Sequence, residues 1–191
     1  MIGEDIIRHY SDDLFLDKTE VICGEDDLDL REAQMYCMES NLRLMHSAGD
    51  NLAQAVNSAL GLCLAADQRS LGNVRNVLAA TPDCAEVAAA LQAFVDNDDW
   101  RYLQSFVNTN KHIEAVLPEA FGMHIGEDGV REGCIMPEFS YTPQGKNKAE
   151  IVNPKMYSSE LPDLRLRQVD RIDAVFAEVL NVLEARAAAN E

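Results

Sequence analysis

A chain of 191 residues with 47% hydrophobic content can bury one substantial core, which excludes a wholly disordered polymer. A formal charge of −17 opposes general attraction to nucleic acid or to an anionic membrane, and no apolar run reaches the roughly 20 residues of a membrane span. Five cysteines, an odd number with no C-x-x-C pair, read as reduced and mostly buried thiols of a cytoplasmic protein.

The opening Met1-Ile2-Gly3-Glu4-Asp5 has neither the basic nor the apolar region of a secretory signal. Residues 1–40 carry twelve acidic side chains against Arg8, Lys18 and Arg31, a net of −9 and over half the total charge. Residues 1–28 are expected to form an acidic N-terminal arm, mostly irregular, with a short helical turn near Ile6 to Tyr10. Residues 29–191 are expected to form one helical domain. The acidic face reads as a solubilising surface. A sharper reading makes residues 12–32 a mimic of nucleic-acid phosphate that engages a basic protein partner.

Asp29 is placed to cap a helix beginning at Leu30, with Glu32 completing a capping box. Met45, Ala48, Leu52, Val56, Leu60 and Cys63 recur at spacings of three and four. This element is either one helix of more than about 30 residues or two helices broken near Ser47 to Gly49. A second helix is expected over Leu71 to Ala80, before the turn Thr81-Pro82-Asp83. A third covers about Cys84 to Val95. Asn97-Asp98-Asp99 then caps a helix reaching His112 to Val116, ended by Pro118.

The pattern changes at Gly122. Met123-His124-Ile125 and Val130 to Tyr141 alternate weakly around Gly126-Glu127-Asp128-Gly129 and predict a small β-hairpin. Thr142 to Asp163 reads as a loop, locally basic through Lys146, Lys148 and Lys155. A last helix is expected from Leu164 to Ala188, with Val169, Ile172, Phe176, Val179 and Leu183 as its core stripe. The fold expected is all-α: a bundle of four to five main helices with a small β-hairpin inserted before the last helix.

Two groups of residues carry candidate chemistry. His46, Asp50, Gln54 and Asn57 form a narrow polar stripe on one helix face. It is either solvent-facing or a seam against a neighbouring helix, where a carboxylate-oriented histidine is a usable base. Asn108, Lys111 and His112 end another helix, with Asn108 and His112 stacked four residues apart. Cations there complement the helix dipole, and they also suit an anion site. In the second case Lys111 holds phosphate and His112 moves protons, since a histidine's unperturbed pKa near 6.5 suits both acid and base roles. The four histidines lack the spacing of a zinc or di-iron site, although His46, His112 and His124 together would offer three ligands. No dinucleotide, phosphate-loop or nucleophile-elbow motif is present, so no cofactor is expected. Trp100 and Tyr102 could stack bases, but a single Trp at a helix start is more often core.

The segments His46-Ser47-Ala48-Gly49-Asp50-Asn51-Leu52-Ala53-Gln54 and Phe106-Val107-Asn108-Thr109-Asn110-Lys111-His112 resemble bacterial members of the HEPN superfamily. These are helical-bundle proteins of toxin–antitoxin and phage-defence systems, and the resemblance covers about residues 30–188. It implies a homodimer and an RNA or nucleotide ligand. It also implies a site of His112 as the catalytic histidine, with Asn108, Lys111, His46 and Asp50 binding substrate. Active members resemble metal-independent ribonucleases whose motif is an arginine, four to six residues, then histidine. Here the arginine position falls on Ser105, Phe106 or Val107, so the charge that stabilises the cleaving phosphate is missing from it. Arg101, about three turns before His112, does not restore the spacing. Two readings stay open: a HEPN-like protein that binds RNA or nucleotide with weak or no cleavage, and a non-enzymatic acidic protein that engages a basic partner.

Overall fold

The computed structural model describes residues 27–113, 115–119, 123–126, 129–143 and 149–190. The expected arm turn near Ile6 to Tyr10, most of the acidic segment 12–32, Cys23, Lys146 and Lys148 lie outside the described residues.

One uninterrupted helix, α1 (Asp27–Ala59), forms the spine. At 1.5 Å per residue its 33 residues span about 50 Å. It starts two residues before Asp29, so that residue lies inside the helix and is not its cap. Met38, Leu42, Met45, Leu52, Ala53 and Val56 line its buried face. Gly49 does not break it. The Trp100 ring occupies the space where a Cβ at residue 49 would project, so the glycine answers to packing and not to a kink.

The end of α1 is a Schellman turn. Gly61 N–H donates to the Ser58 carbonyl and Leu62 N–H to the Asn57 carbonyl, with Gly61 in the left-handed region at φ 65°. Asn57 is buried, and its Oδ1 accepts from Leu64 N–H at 3.1 Å. It therefore closes the turn and does not extend the polar stripe. Asn57→Ala removes the acceptor of that amide and is expected to cost about 1–3 kcal/mol in urea unfolding. A change below about 0.3 kcal/mol would show that water replaces the side chain at no cost. Cys63, expected in the α1 stripe, lies past the helix end at φ 56° and is exposed, as is Cys37, whereas Cys84 and Cys134 are buried. Periodicity cannot be extended through a turn, which is why Cys63 was misplaced.

Three further helices follow: α2 (Leu71–Ala79), α3 (Ala85–Asp96) and α4 (Asp98–His112). The Ser70 hydroxyl caps α2 by accepting from Asn73 N–H. Asn97 caps α4 by accepting from Trp100 N–H at 2.8 Å, with Asp98 and Asp99 in the first turn as the dipole favours. At the other end Ile113 stops the helix, three residues short of Val116. Asn110 explains the stop: its Oδ1 takes the Val116 N–H at 3.1 Å and turns the chain.

Among the described residues the β insertion is three two-stranded antiparallel ladders. Strands β1 (Met123–Gly126) and β2 (Gly129–Glu132) form the hairpin, pairing Ile125 with Val130. Strand β3 (Ile135–Met136) pairs with β6 (Met156–Tyr157), and β4 (Phe139–Tyr141) pairs with β5 (Ile151–Asn153). β5 and β6 fall inside the expected loop; strands of two or three residues are too short to display alternation. Phe139 anchors this layer, meeting the rings of Tyr102 and Phe106 edge-on at 5.4 and 6.2 Å.

The last helix, α5 (Leu161–Ala188), packs on α1 and α3. Its buried stripe is Leu161, Leu164, Gln168, Val175, Val179 and Val182. The expected stripe is rotated from this: Val179 is buried, Ile172, Phe176 and Leu183 are half-buried, and Val169 is exposed. Apolar residues cover a wide arc of α5, and a polar Gln168 sits in the core face, so periodicity alone does not locate the inward side. The fold is thus mostly α-helical, with five α-helices and a small antiparallel insertion before the last among the described residues. Among the described residues no helix is long and apolar enough to cross a membrane.

Candidate functional site

Helices α1 and α4 run along each other, and the candidate residues sit in and beside their seam. His46 lies flat against Trp100, with ring centroids 5.0 Å apart and planes 15° from parallel. Trp100 in turn packs on Phe94 of α3 and over Gly49. The imidazole is thus fixed by a buried aromatic wall, and only 12% of its side chain is exposed.

Asp50, one turn further along α1, places Oδ2 3.7 Å from His46 Nδ1. That is too long for a good hydrogen bond, and the carboxylate is largely exposed, so it orients the ring weakly. Burial lowers the His46 pKa below 6.5; the Asp50 charge pulls it back up, and the Lys111 charge pushes it down again. The Lys111 ammonium, carried by α4, therefore lies near enough to act on the imidazole. The neutral form of His46 is favoured, which leaves it able to accept a proton.

The sign of this shift has a thermodynamic consequence. Stability contributed by neutral, buried His46 is present above the unfolded-chain value near 6.5 and is lost as pH falls toward the lowered folded value. Histidine Cε1–H NMR titration is expected to place the His46 midpoint below 6.5. Lys111→Gln should raise it and Asp50→Asn should lower it further. A rise in Asp50→Asn would contradict the arrangement.

The remaining residues occupy the outer side of α4. Trp100 and Phe106 both meet α1, through His46 and Arg43, which puts α1 over the Leu103–Val107 side of the helix. By helix geometry His112 lies roughly half a turn round from that side. His112 and Lys111 are exposed, and Asn108 is half-buried. The Lys111 charge acts on His46 from α4, and His112 faces away from His46. Gln54 is exposed and Asn57 is spent on its turn, so the α1 stripe contributes only its first half.

Arg43 escaped the sequence reading. Its guanidinium sits 5.9 Å over the Phe106 ring and donates through Nε and Nη2 to Glu39 at 2.9 and 2.7 Å. It lies one turn before His46 on α1, and that i, i+3 spacing was the available signal. Ser105, Phe106 and Val107, where the resembled motif would carry arginine, are 1%, 0% and 3% exposed. A charged side chain there would be buried without a partner, at a cost of several kcal/mol. Among the described residues no group of three His, Cys, Asp or Glu side chains could hold a metal ion.

No family model, curated protein or solved structure matches this chain.

Proposed function

We propose that this is a HEPN-like helical protein that binds RNA or a nucleotide at the end of α4 and its seam with α1, with weak or no cleavage. The observation that carries this reading is the pair of exposed basic side chains Lys111 and His112 beside half-buried Asn108 at the end of α4, with the Lys111 charge felt by His46 of α1. Lys111 makes no ion pair among the described residues and is free to take a phosphate. His46 is stacked, oriented and largely neutral. Arg43 is a second cation close by, though held by Glu39.

Weak or absent cleavage follows from separation. Attack of a ribose 2′-hydroxyl on phosphorus needs a proton acceptor, a proton donor and charge stabilisation within a few ångströms of one phosphate. His46 and His112 lie on different sides of α4, and the arginine positions of the resembled motif are core. Incubation of the purified protein with RNA in EDTA is expected to leave the RNA intact or nearly so, with no difference in His112→Ala. Robust cleavage that disappears in His112→Ala would make the protein a nuclease and overturn this part of the reading.

The proposal includes a homodimer. Beyond its buried stripe, α5 leaves Leu166, Val169 and Leu180 exposed at spacings of three and eleven, a second apolar row. Sedimentation equilibrium is expected to give twice the 21.2 kDa chain mass. The monomer mass at tens of micromolar would remove this element.

A further inference from the structure

A second cleft lies away from the α1–α4 seam, between the start of α4, strands β5 and β6 and the start of α5. It encloses about 580 Å³, within the usual range for small-molecule sites. Ile151, Pro154, Met156 and Leu164 supply its apolar wall. Arg101, Lys155 and Arg167 supply cations, and Asp98, Asp99 and Glu160 supply acids.

The charges are not equally committed. Arg167 is clamped on Asp99 by two hydrogen bonds at 2.8 and 3.0 Å. Arg101 holds Asp98 only at 3.4 Å and Asp96 only at 3.9 Å, and half its side chain is exposed. Lys155 is exposed and makes no ion pair among the described residues. Glu160 accepts from Tyr157 N–H at 2.7 Å. Asp98 is almost fully exposed and held only by that 3.4 Å contact, so Lys155 is the one cation of the cleft with no ion pair among the described residues.

The wall also contains an unmet polar group. Tyr102 is 5% exposed, and its hydroxyl has no hydrogen-bond partner among the described residues. Burial and the Glu160 charge raise its pKa, so the group keeps its proton. Tyr102 is itself one of the residues that line the cleft. A buried hydroxyl without a partner carries a desolvation cost that an acceptor atom would remove.

We infer that this cleft binds a small organic carboxylate with an apolar body, its carboxylate reaching Lys155, Arg101 and the Tyr102 hydroxyl and its body lying on Ile151, Met156 and Leu164. The apolar wall favours an organic body over an inorganic anion, and the unpaired Lys155 favours a carboxylate over an amine. This site shares no residue with the α1–α4 seam, so either can fail without the other.

The test uses 3-phenylpropionate as probe and 3-phenylpropylamine as its size-matched cation, each followed by amide NMR shifts and by thermal melting of the full chain. The carboxylate is expected to give saturable shifts at residues 101–102, 151–156 and 164–167 and to raise the melting temperature. The amine should bind at least tenfold more weakly. Lys155→Gln should weaken the carboxylate about tenfold. Tyr102→Phe carries a readout that a merely structural role would not produce: it should raise the melting temperature of the free protein, by removing an unmet hydroxyl, while shrinking the gain given by the carboxylate. No saturable shift at tens of millimolar, equal binding of the amine, or a full carboxylate response in both variants would overturn the inference.

Discussion

Gly49→Ala is expected to destabilise the protein, although alanine is the better helix former. In an open helix this change gains about 0.5–1 kcal/mol. Here the added Cβ would press into the Trp100 ring, which is itself buried between His46 and Phe94 and has nowhere to retreat. Overpacking of this kind costs about 1–3 kcal/mol, so a net loss on the order of 1–2 kcal/mol is expected, a melting drop of several degrees. The near-UV circular dichroism of the single tryptophan should change with it. The cause is checked in a second background: Trp100→Phe removes the ring atoms that Cβ would strike, so Gly49→Ala should cost less there. A stabilised Gly49→Ala protein would mean that Trp100 does not lie over α1.

Asp99→Ala is expected to loosen α4 from α5 by about 2 kcal/mol. Asp99 receives three hydrogen bonds, from Arg167 Nε and Nη2 and from Arg171 Nη1 at 2.6 Å, and its own side chain is 18% exposed. Breaking a fully buried pair costs about 3–5 kcal/mol, but both arginines reach water and recover part of it. Burial pushes the Asp99 carboxyl up, yet the two guanidiniums outweigh it and hold the pKa below the usual carboxylate range. A lowered folded value means that this stability is present above the unfolded value near 3.9 and is lost as pH falls through the folded one. Asp99→Asn should therefore flatten the acid limb of the stability curve. An unchanged limb would show that the arginines do not hold this carboxylate.

Helix order and the cap at Asn97 could be read from the chain because they depend on local spacing and side-chain reach; the cap at Ser70 had the same local signal and was not read. The hairpin could be read because Gly126 and Gly129 bracket its turn. What stayed hidden depends on pairing in space. Nothing local says that Gly49 faces Trp100, that Asp99 collects two arginines from a helix some seventy residues later, or which arc of α5 points inward. The candidate site divides in the same way. Its residue types were visible at His46, Asp50, Asn108, Lys111 and His112. That the Lys111 charge is felt at His46 while His112 turns away, and that Arg43 covers Phe106, follows from the antiparallel meeting of α1 and α4. Ser105, Phe106 and Val107, where the resembled motif would carry arginine, are buried in the core, which local spacing does not reveal.

The central claim is that the end of α4 and its seam with α1 hold the phosphates of RNA. The direct measurement is equilibrium binding of a fluorescent single-stranded RNA across a salt series, without metal, for the wild type, Lys111→Gln and Lys155→Gln. In an acidic chain the binding should be weak and local. Removing the phosphate contact at Lys111 should weaken it severalfold and reduce the slope of log K against log salt by about 0.7, whereas Lys155→Gln, in the other cleft, should leave it unchanged. Absence of binding at 50 mM salt, or identical curves for the wild type and Lys111→Gln, would contradict the account.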